Sequence, residues 1–134
     1  MSHAVAFLDD LPLSDDQIST TDADRSDHAH DWGTPREDGV EPDVVVWPES
    51  TADVAAVMRA ANDHGVPVTP YAAGTSLEGN AVPVEGGISL DMNRMDDVHE
   101  IRADDLQVDV GPGILGSEVN EAVAKHGLFL PSLP

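Results

Sequence analysis

No cysteine occurs in the 134 residues, which excludes disulfides, thiolate nucleophiles and sulfur-ligated zinc or iron–sulfur centres together. Cations are scarce. Lys125 is the only lysine, and with Arg25, Arg36, Arg59, Arg94 and Arg102 it stands against 26 Asp and Glu, for a formal net charge of −20. A surface so acidic repels phosphate backbones and anionic lipid, so nucleic acid is not an expected partner. Aromatic residues make up only 4%, and any core must be built from Val, Ala, Leu, Ile and Met. No apolar run approaches the ~20 residues of a membrane-spanning helix. The first residues carry no positive n-region of the secretory kind, and the expected compartment is the cytoplasm, with attachment to the inner face of a membrane as the alternative.

What is present is one domain's worth of chain, 40% apolar, with acids dispersed along its whole length. Self-repulsion at this charge strains a compact state in dilute buffer and is relieved where about 1 M salt cuts the Debye length to roughly 3 Å. The composition therefore reads as adaptation to a saline interior. The neighbouring acids Asp9-Asp10, Asp15-Asp16, Asp96-Asp97 and Asp104-Asp105 read as solvated surface rather than acid–base pairs. His28 and His30 form the only local histidine cluster. Two histidines in a polar arm do not complete a metal site, so they are expected as solvated surface groups and no metal site is assigned.

Residues 1–39 are rich in Asp, Ser, Thr and Ala without sustained periodicity, and are expected to form an acidic lead-in arm with short helical turns. From Val40 the pattern sharpens. Val44-Val45-Val46-Trp47 is a short apolar run stopped by Pro48, the mark of a buried strand. Ser50 is a natural N-cap, Val54, Val57, Met58 and Ala61 recur at helical spacing, and Gly65 follows the last turn. Val66–Thr69 then resumes as a strand, giving a parallel βαβ crossover. Residues 87–92 predict a further strand, 98–102 and 106–110 a hairpin about Ala103-Asp104-Asp105, and 115–125 an amphipathic helix before a last strand opening at Leu128-Phe129-Leu130. Stopping four residues later is odd for a complete fold, which suggests a fragment.

Ligands in open α/β sheets bind beyond the carboxyl ends of the strands, where this chain carries Pro70 to Asn80. Residues 72–76 are small and uncharged. Their consecutive amides, with the Thr75 and Ser76 hydroxyls, are able to cradle a pyrophosphate, although on spacing alone a plain turn accounts for them equally well. No lysine precedes position 125, so the loop is not of the Walker type. A second glycine pattern, Gly111-Pro112-Gly113-Ile114-Leu115-Gly116, fits the dinucleotide fingerprint G-x-G-x-x-G. It follows a hairpin rather than a βαβ unit and lacks an acidic partner about 20 residues on, so it reads as a tight strand-to-helix turn.

Pro42-Asp43-Val44-Val45-Val46-Trp47-Pro48, Val66-Pro67-Val68-Thr69-Pro70 and above all Tyr71-Ala72-Ala73-Gly74-Thr75-Ser76-Leu77-Glu78-Gly79-Asn80 resemble the FAD-linked oxidases with a PCMH-type FAD-binding domain, in the branch of cytochrome-linked D-lactate dehydrogenase and the glycolate oxidase D-subunit. The resemblance covers residues 40–134 and, weakly, 20–32. It implies an α/β (α+β) fold, a partial PCMH-type domain over 40–134 made of a small parallel lobe and the start of an antiparallel one. It implies FAD as cofactor, with Tyr71, Ala72, Ala73, Gly74, Thr75, Ser76, Gly79 and Asn80 at its diphosphate. Some relatives attach the flavin covalently through a histidine of this loop. Thr75 stands at that position here, so the implied binding is non-covalent. The implied parent activity is oxidation of a small 2-hydroxy acid such as D-lactate or glycolate, with hydride passing to the flavin and electrons leaving to a cytochrome or quinone. Family members carry their catalytic residues further along the chain, and none is assigned here. The other reading is a non-catalytic or truncated flavin-binding fragment that needs a complementary chain.

Overall fold

The computed structural model describes residues 3–131; the end of the expected domain, residues 132–134, lies outside them. A four-stranded sheet is ordered β1 (Ile18–Ser19), β2 (Val44–Val46), β4 (Ile88–Asp91), β3 (Val68–Tyr71), and a separate antiparallel pair joins β5 (Val98–Arg102) to β6 (Gln107–Val110). Among the described residues three α-helices accompany them: α1 (Asp22–Asp27), α2 (Thr51–His64) and α3 (Gly116–Ala124). This is the expected α/β (α+β) arrangement, a small parallel lobe followed by an antiparallel hairpin.

Strands β2 and β3 both run parallel to β4, which lies between them, with Val44 and Val68 each opposite Ile88. The βαβ crossover predicted from the sequence is therefore present with a later strand inserted into its gap. Side chains alternate across a strand, so the sheet has two distinct faces. Val44, Val46, Ile88 and Leu90 point to one face and pack on Val57 and Ala61 of α2, with Val5 and Leu8 from the 3-10 segment His3–Asp10 completing the core. Asp91, Ser89 and Val45 belong to the other face, on the side of α1 and the arm.

Helix α2 begins as its sequence dictates. The Ser50 side chain accepts from the Asp53 amide at 3.1 Å, satisfying an otherwise orphaned donor of the first turn, and Asp53 reaches back to accept from the amide of Glu49, just before the cap, at 2.9 Å. The next strand runs further than expected, through Pro70 to Tyr71. Pro70 is tolerated because β3 is an edge strand, where a missing N–H breaks no ladder bond.

Two expectations are overturned. Leu128-Phe129-Leu130 is not a strand: the Leu128 amide donates to the Val123 carbonyl at 3.3 Å and the Leu130 amide to Asn120 Oδ1 at 2.6 Å, so the segment folds back on α3 rather than joining a sheet. His28 is not a solvated arm residue but is buried against the sheet edge. The arm also contributes more than turns, since Ile18 and Ser19 pair antiparallel with Val46 and Val45.

The glycine-rich segment 111–116 is the tight turn anticipated. The Gly111 amide donates to the Asp97 carbonyl at 2.8 Å and the Gly113 amide to that of Met95 at 3.0 Å. A Cβ at Gly113 would fall 2.6 Å from the Met92 carbonyl carbon, so glycine here permits two backbones to touch. Both amides are spent within the protein and leave no phosphate cradle.

Candidate functional site

Because β2, β3 and β4 are parallel, their carboxyl ends emerge at one edge, and Trp47, Tyr71 and Asp91 meet there. His28, at the C-terminus of α1, fills the space between them. Its Nδ1 lies 2.7 Å from the Asp24 carbonyl and its Nε2 2.9 Å from Asp91 Oδ2, which also accepts from Trp47 Nε1 at 2.9 Å. The other Asp91 oxygen accepts from the Asn93 amide at 2.8 Å. Burial alone lowers the pKa of His28, but the hydrogen bonds to Asp91 and the Asp24 carbonyl, with the charges of both carboxylates, outweigh it and raise the pKa above the ordinary histidine value. The Tyr71 ring lies against His28 at a centroid distance of 4.4 Å. Burial, followed by the carboxylates of Asp91, Asp27 and Asp31, pushes the Tyr71 hydroxyl above its usual range, so it stays a proton donor.

Above this base runs the loop singled out in the sequence. Gly74 adopts a left-handed backbone (φ 66°), and a Cβ there would lie 3.0 Å from Cζ of Tyr71 and closer still to its hydroxyl. The loop turns its carbonyls toward the arm. Trp32 N–H donates to the Gly74 carbonyl at 2.8 Å and Gly33 N–H to that of Ser76 at 3.0 Å. On the other side, Asn93 Nδ2 donates to the Ala72 carbonyl at 3.0 Å. Ser76 Oγ accepts from the amides of Glu78 and Asn80, each at 3.3 Å. Among the described residues, none of the amides of residues 73–77 finds a protein acceptor. A run of unspent N–H groups whose carbonyls are held elsewhere is the arrangement that receives an anion.

The arm grips the loop closely. A Cβ at Gly33 would sit 2.5 Å from the Leu77 carbonyl carbon, so the two backbones are in contact. Asp31 braces this contact: its Oδ1 accepts from the Thr34 amide at 3.0 Å and the Thr34 hydroxyl at 2.8 Å. Its buried Oδ2 faces Ser76 and Gly79 without a bond of good geometry. Burial raises the Asp31 pKa, but the hydroxyl and amide of Thr34, with the polar groups of Ser76 and Gly79 nearby, prevail and hold the carboxyl below its ordinary range. Between arm and loop opens a shallow cleft of about 280 Å³ lined by His30, Asp31, Trp32, Thr34, Arg36, Tyr71 and Gly74.

Residues 42–134 match the family model described as an FAD binding domain. The chain belongs to the FAD binding domain family. Its cofactor is FAD, and the geometry fits that group: the free amides of 73–77 suit a diphosphate, and the small side chains at 72–74 leave room for it. The chain is similar to the mitochondrial cytochrome-type D-lactate dehydrogenase of Arabidopsis thaliana, at 40% identity over 69% of this chain and 16% of that protein. It is similar to the glycolate oxidase subunit GlcD of Bacillus subtilis (strain 168), at 34% identity over 69% of this chain and 20% of that one. In fold it resembles alkyldihydroxyacetonephosphate synthase, with a TM-score of 0.84 at 24% identity over 98% of this chain and 28% of the other. The chain therefore spans less than a third of the length of each.

The structure places Tyr71 at the end of β3 and Ala72, Ala73, Gly74, Thr75, Ser76, Gly79 and Asn80 in the loop that follows it. Sequence reasoning missed the arm residues that hold this FAD-binding-domain loop in shape, Asp31 to Thr34, and the His28–Asp91 pair beneath it. The signal available was the density of His, Asp, Trp and Gly between Asp27 and Gly33, unusual for a solvated arm.

Proposed function

We propose that this chain is the FAD-diphosphate-binding portion of a flavin-dependent oxidoreductase that oxidises a small 2-hydroxy acid of the D-lactate or glycolate class and passes the electrons to a cytochrome or quinone. The observation that carries the reading is the run of unbonded amides at residues 73–77, with Gly74 left-handed and the carbonyls of Gly74 and Ser76 fastened to the arm. Tyr71, Ala72, Ala73, Gly74, Thr75, Ser76, Gly79 and Asn80 line the diphosphate. Binding is non-covalent, because Thr75 offers no nucleophile comparable to a histidine. The substrate class is supported by the names of the two relatives, since lactate and glycolate are both 2-hydroxy acids.

The bound flavin supplies two-electron redox chemistry, while the chain binds, orients and tunes. The His28–Asp91–Trp47 base fixes the height of Tyr71, and Tyr71 in turn supports Gly74. Among the described residues no helix is long and apolar enough to cross a membrane. The cysteine-free, acidic composition supports a saline cytoplasm as the compartment.

A second reading, a flavin-binding module that needs a complementary chain for catalysis, is favoured by one feature. An apolar cavity of about 410 Å³ lies open between the β5–β6 turn and α3, lined by Leu106, Val119, Val123, Leu128, Phe129 and Leu130, with Phe129 76% exposed. Titration of FAD into the purified chain in concentrated KCl tests the shared claim. Saturable binding that Gly74→Asp abolishes supports the site, and absence of binding by the folded chain refutes it. Bleaching of the bound flavin by D-lactate or glycolate separates the enzyme from the module.

A further inference from the structure

Three of the six cations are committed to ion pairs: Arg25 with Glu41 at 3.0 Å, Arg94 with Asp16 and Glu49 at 2.9 Å each, and Arg102 with Asp109 at 2.8 Å. Among the described residues Arg36, Arg59 and Lys125 make no such pair. Arg59 lies on α2 and Lys125 follows α3, and neither lines the cleft beside the loop. Arg36 does, opening the short 3-10 turn Arg36–Asp38 and sharing the cleft lining with Tyr71 and Gly74. An uncommitted guanidinium is conspicuous in a chain with 26 carboxylates, where an exposed arginine readily finds a partner.

The electrostatics of the cleft give it a purpose. A diphosphate approaching the amides of 73–77 meets the field of a net charge of −20 and, on the cleft wall itself, the ionised carboxylate of Asp31. Amide dipoles alone are a weak answer to that repulsion, whereas a guanidinium presents a fork of donors and a full charge to phosphate oxygens. We propose that Arg36, which lies outside the matched span 42–134, is the counter-charge for the FAD diphosphate, so that the lead-in arm is the second wall of the cofactor site. This rests on the FAD reading above and extends it to a residue that the loop pattern does not contain.

The test is calorimetric titration of FAD and ADP into the wild-type chain and the variants Arg36→Gln and Arg36→Lys, in about 0.2 M and about 2 M KCl. Arg36 is exposed and unpaired, so both variants should melt with the wild type. Arg36→Gln is expected to weaken both ligands about tenfold at the lower salt, as loss of a charged hydrogen bond does. Arg36→Lys should recover most of that loss, and the difference between Gln and wild type should shrink at the higher salt. Equal affinity of Arg36→Gln and wild type, or a loss that Lys does not restore and salt does not alter, would overturn the counter-charge. Failure of the wild-type chain to bind FAD would instead overturn the cofactor reading, and this inference with it.

Discussion

His28 Nε2 lies 2.9 Å from Asp91 Oδ2, joining an arm residue to the end of a central strand inside a site where both side chains are buried. A buried ion pair is strongly coupled to its own integrity, because removing one member strands the other. The pair also sits under Tyr71 and therefore under the loop proposed to receive the diphosphate.

Its titration makes stability depend on pH. The pKa of His28 is raised in the folded state, so the stabilisation is fully present below about pH 6.5, the unfolded value, and is lost as pH rises through the folded value. The melting temperature should fall across that window in the wild type. In His28→Gln the fall should be absent, and an identical pH profile for both proteins would rule His28 out as the group responsible.

Asp91→Ala should cost about 3 kcal/mol or more, since it leaves the buried His28 and the Trp47 indole N–H without their acceptor. Urea unfolding at fixed salt measures the cost. Asp91→Asn, which keeps an acceptor oxygen, should be milder.

Gly33→Ala places a Cβ 2.5 Å from the Leu77 carbonyl carbon, closer than any real Cβ contact, so the loop backbone must move away from the arm. The expected outcome is faster hydrogen exchange at the Trp32 and Gly33 amides, which donate to the loop carbonyls, with weaker FAD binding and a stability loss of about 1–3 kcal/mol, typical of overpacking. Unchanged exchange at Trp32 and Gly33 would show that the arm does not hold the loop.

Gly113→Ala drives a Cβ into the Met92 carbonyl and should lower the melting temperature while NADH binding stays undetectable in mutant and wild type alike. Saturable NADH binding by the wild type would reinstate the fingerprint as a site.

Melting temperature should climb steeply with KCl, because a net charge of −20 opposes compaction until screened. A flat profile from low to molar salt would contradict the saline adaptation.

The local rules were legible in the chain. The all-buried Val44–Val46 run, the Ser50 cap and the stop at Gly65 each follow from a residue's own conformational preferences and its near neighbours. So does the small, uncharged loop at 72–76, whose composition alone permits close approach of a phosphate. The strand expected at Leu128–Leu130 shows the limit of such reasoning, since a short apolar run states only that burial is wanted and not which surface provides it.

Sequence by itself therefore determined the elements, the loop chemistry and the electrostatic character of this protein, because those depend on residue type and on contacts a few positions apart. Tertiary structure alone decided that β4 enters between β2 and β3, that His28 reaches Asp91 across 63 positions, and that Trp32 and Gly33 donate to the loop's carbonyls at Gly74 and Ser76. These are pairings between distant backbone and polar groups. They leave no period or motif in the chain, since a hydrogen bond to an amide or carbonyl can be made by almost any residue once the fold has brought it there.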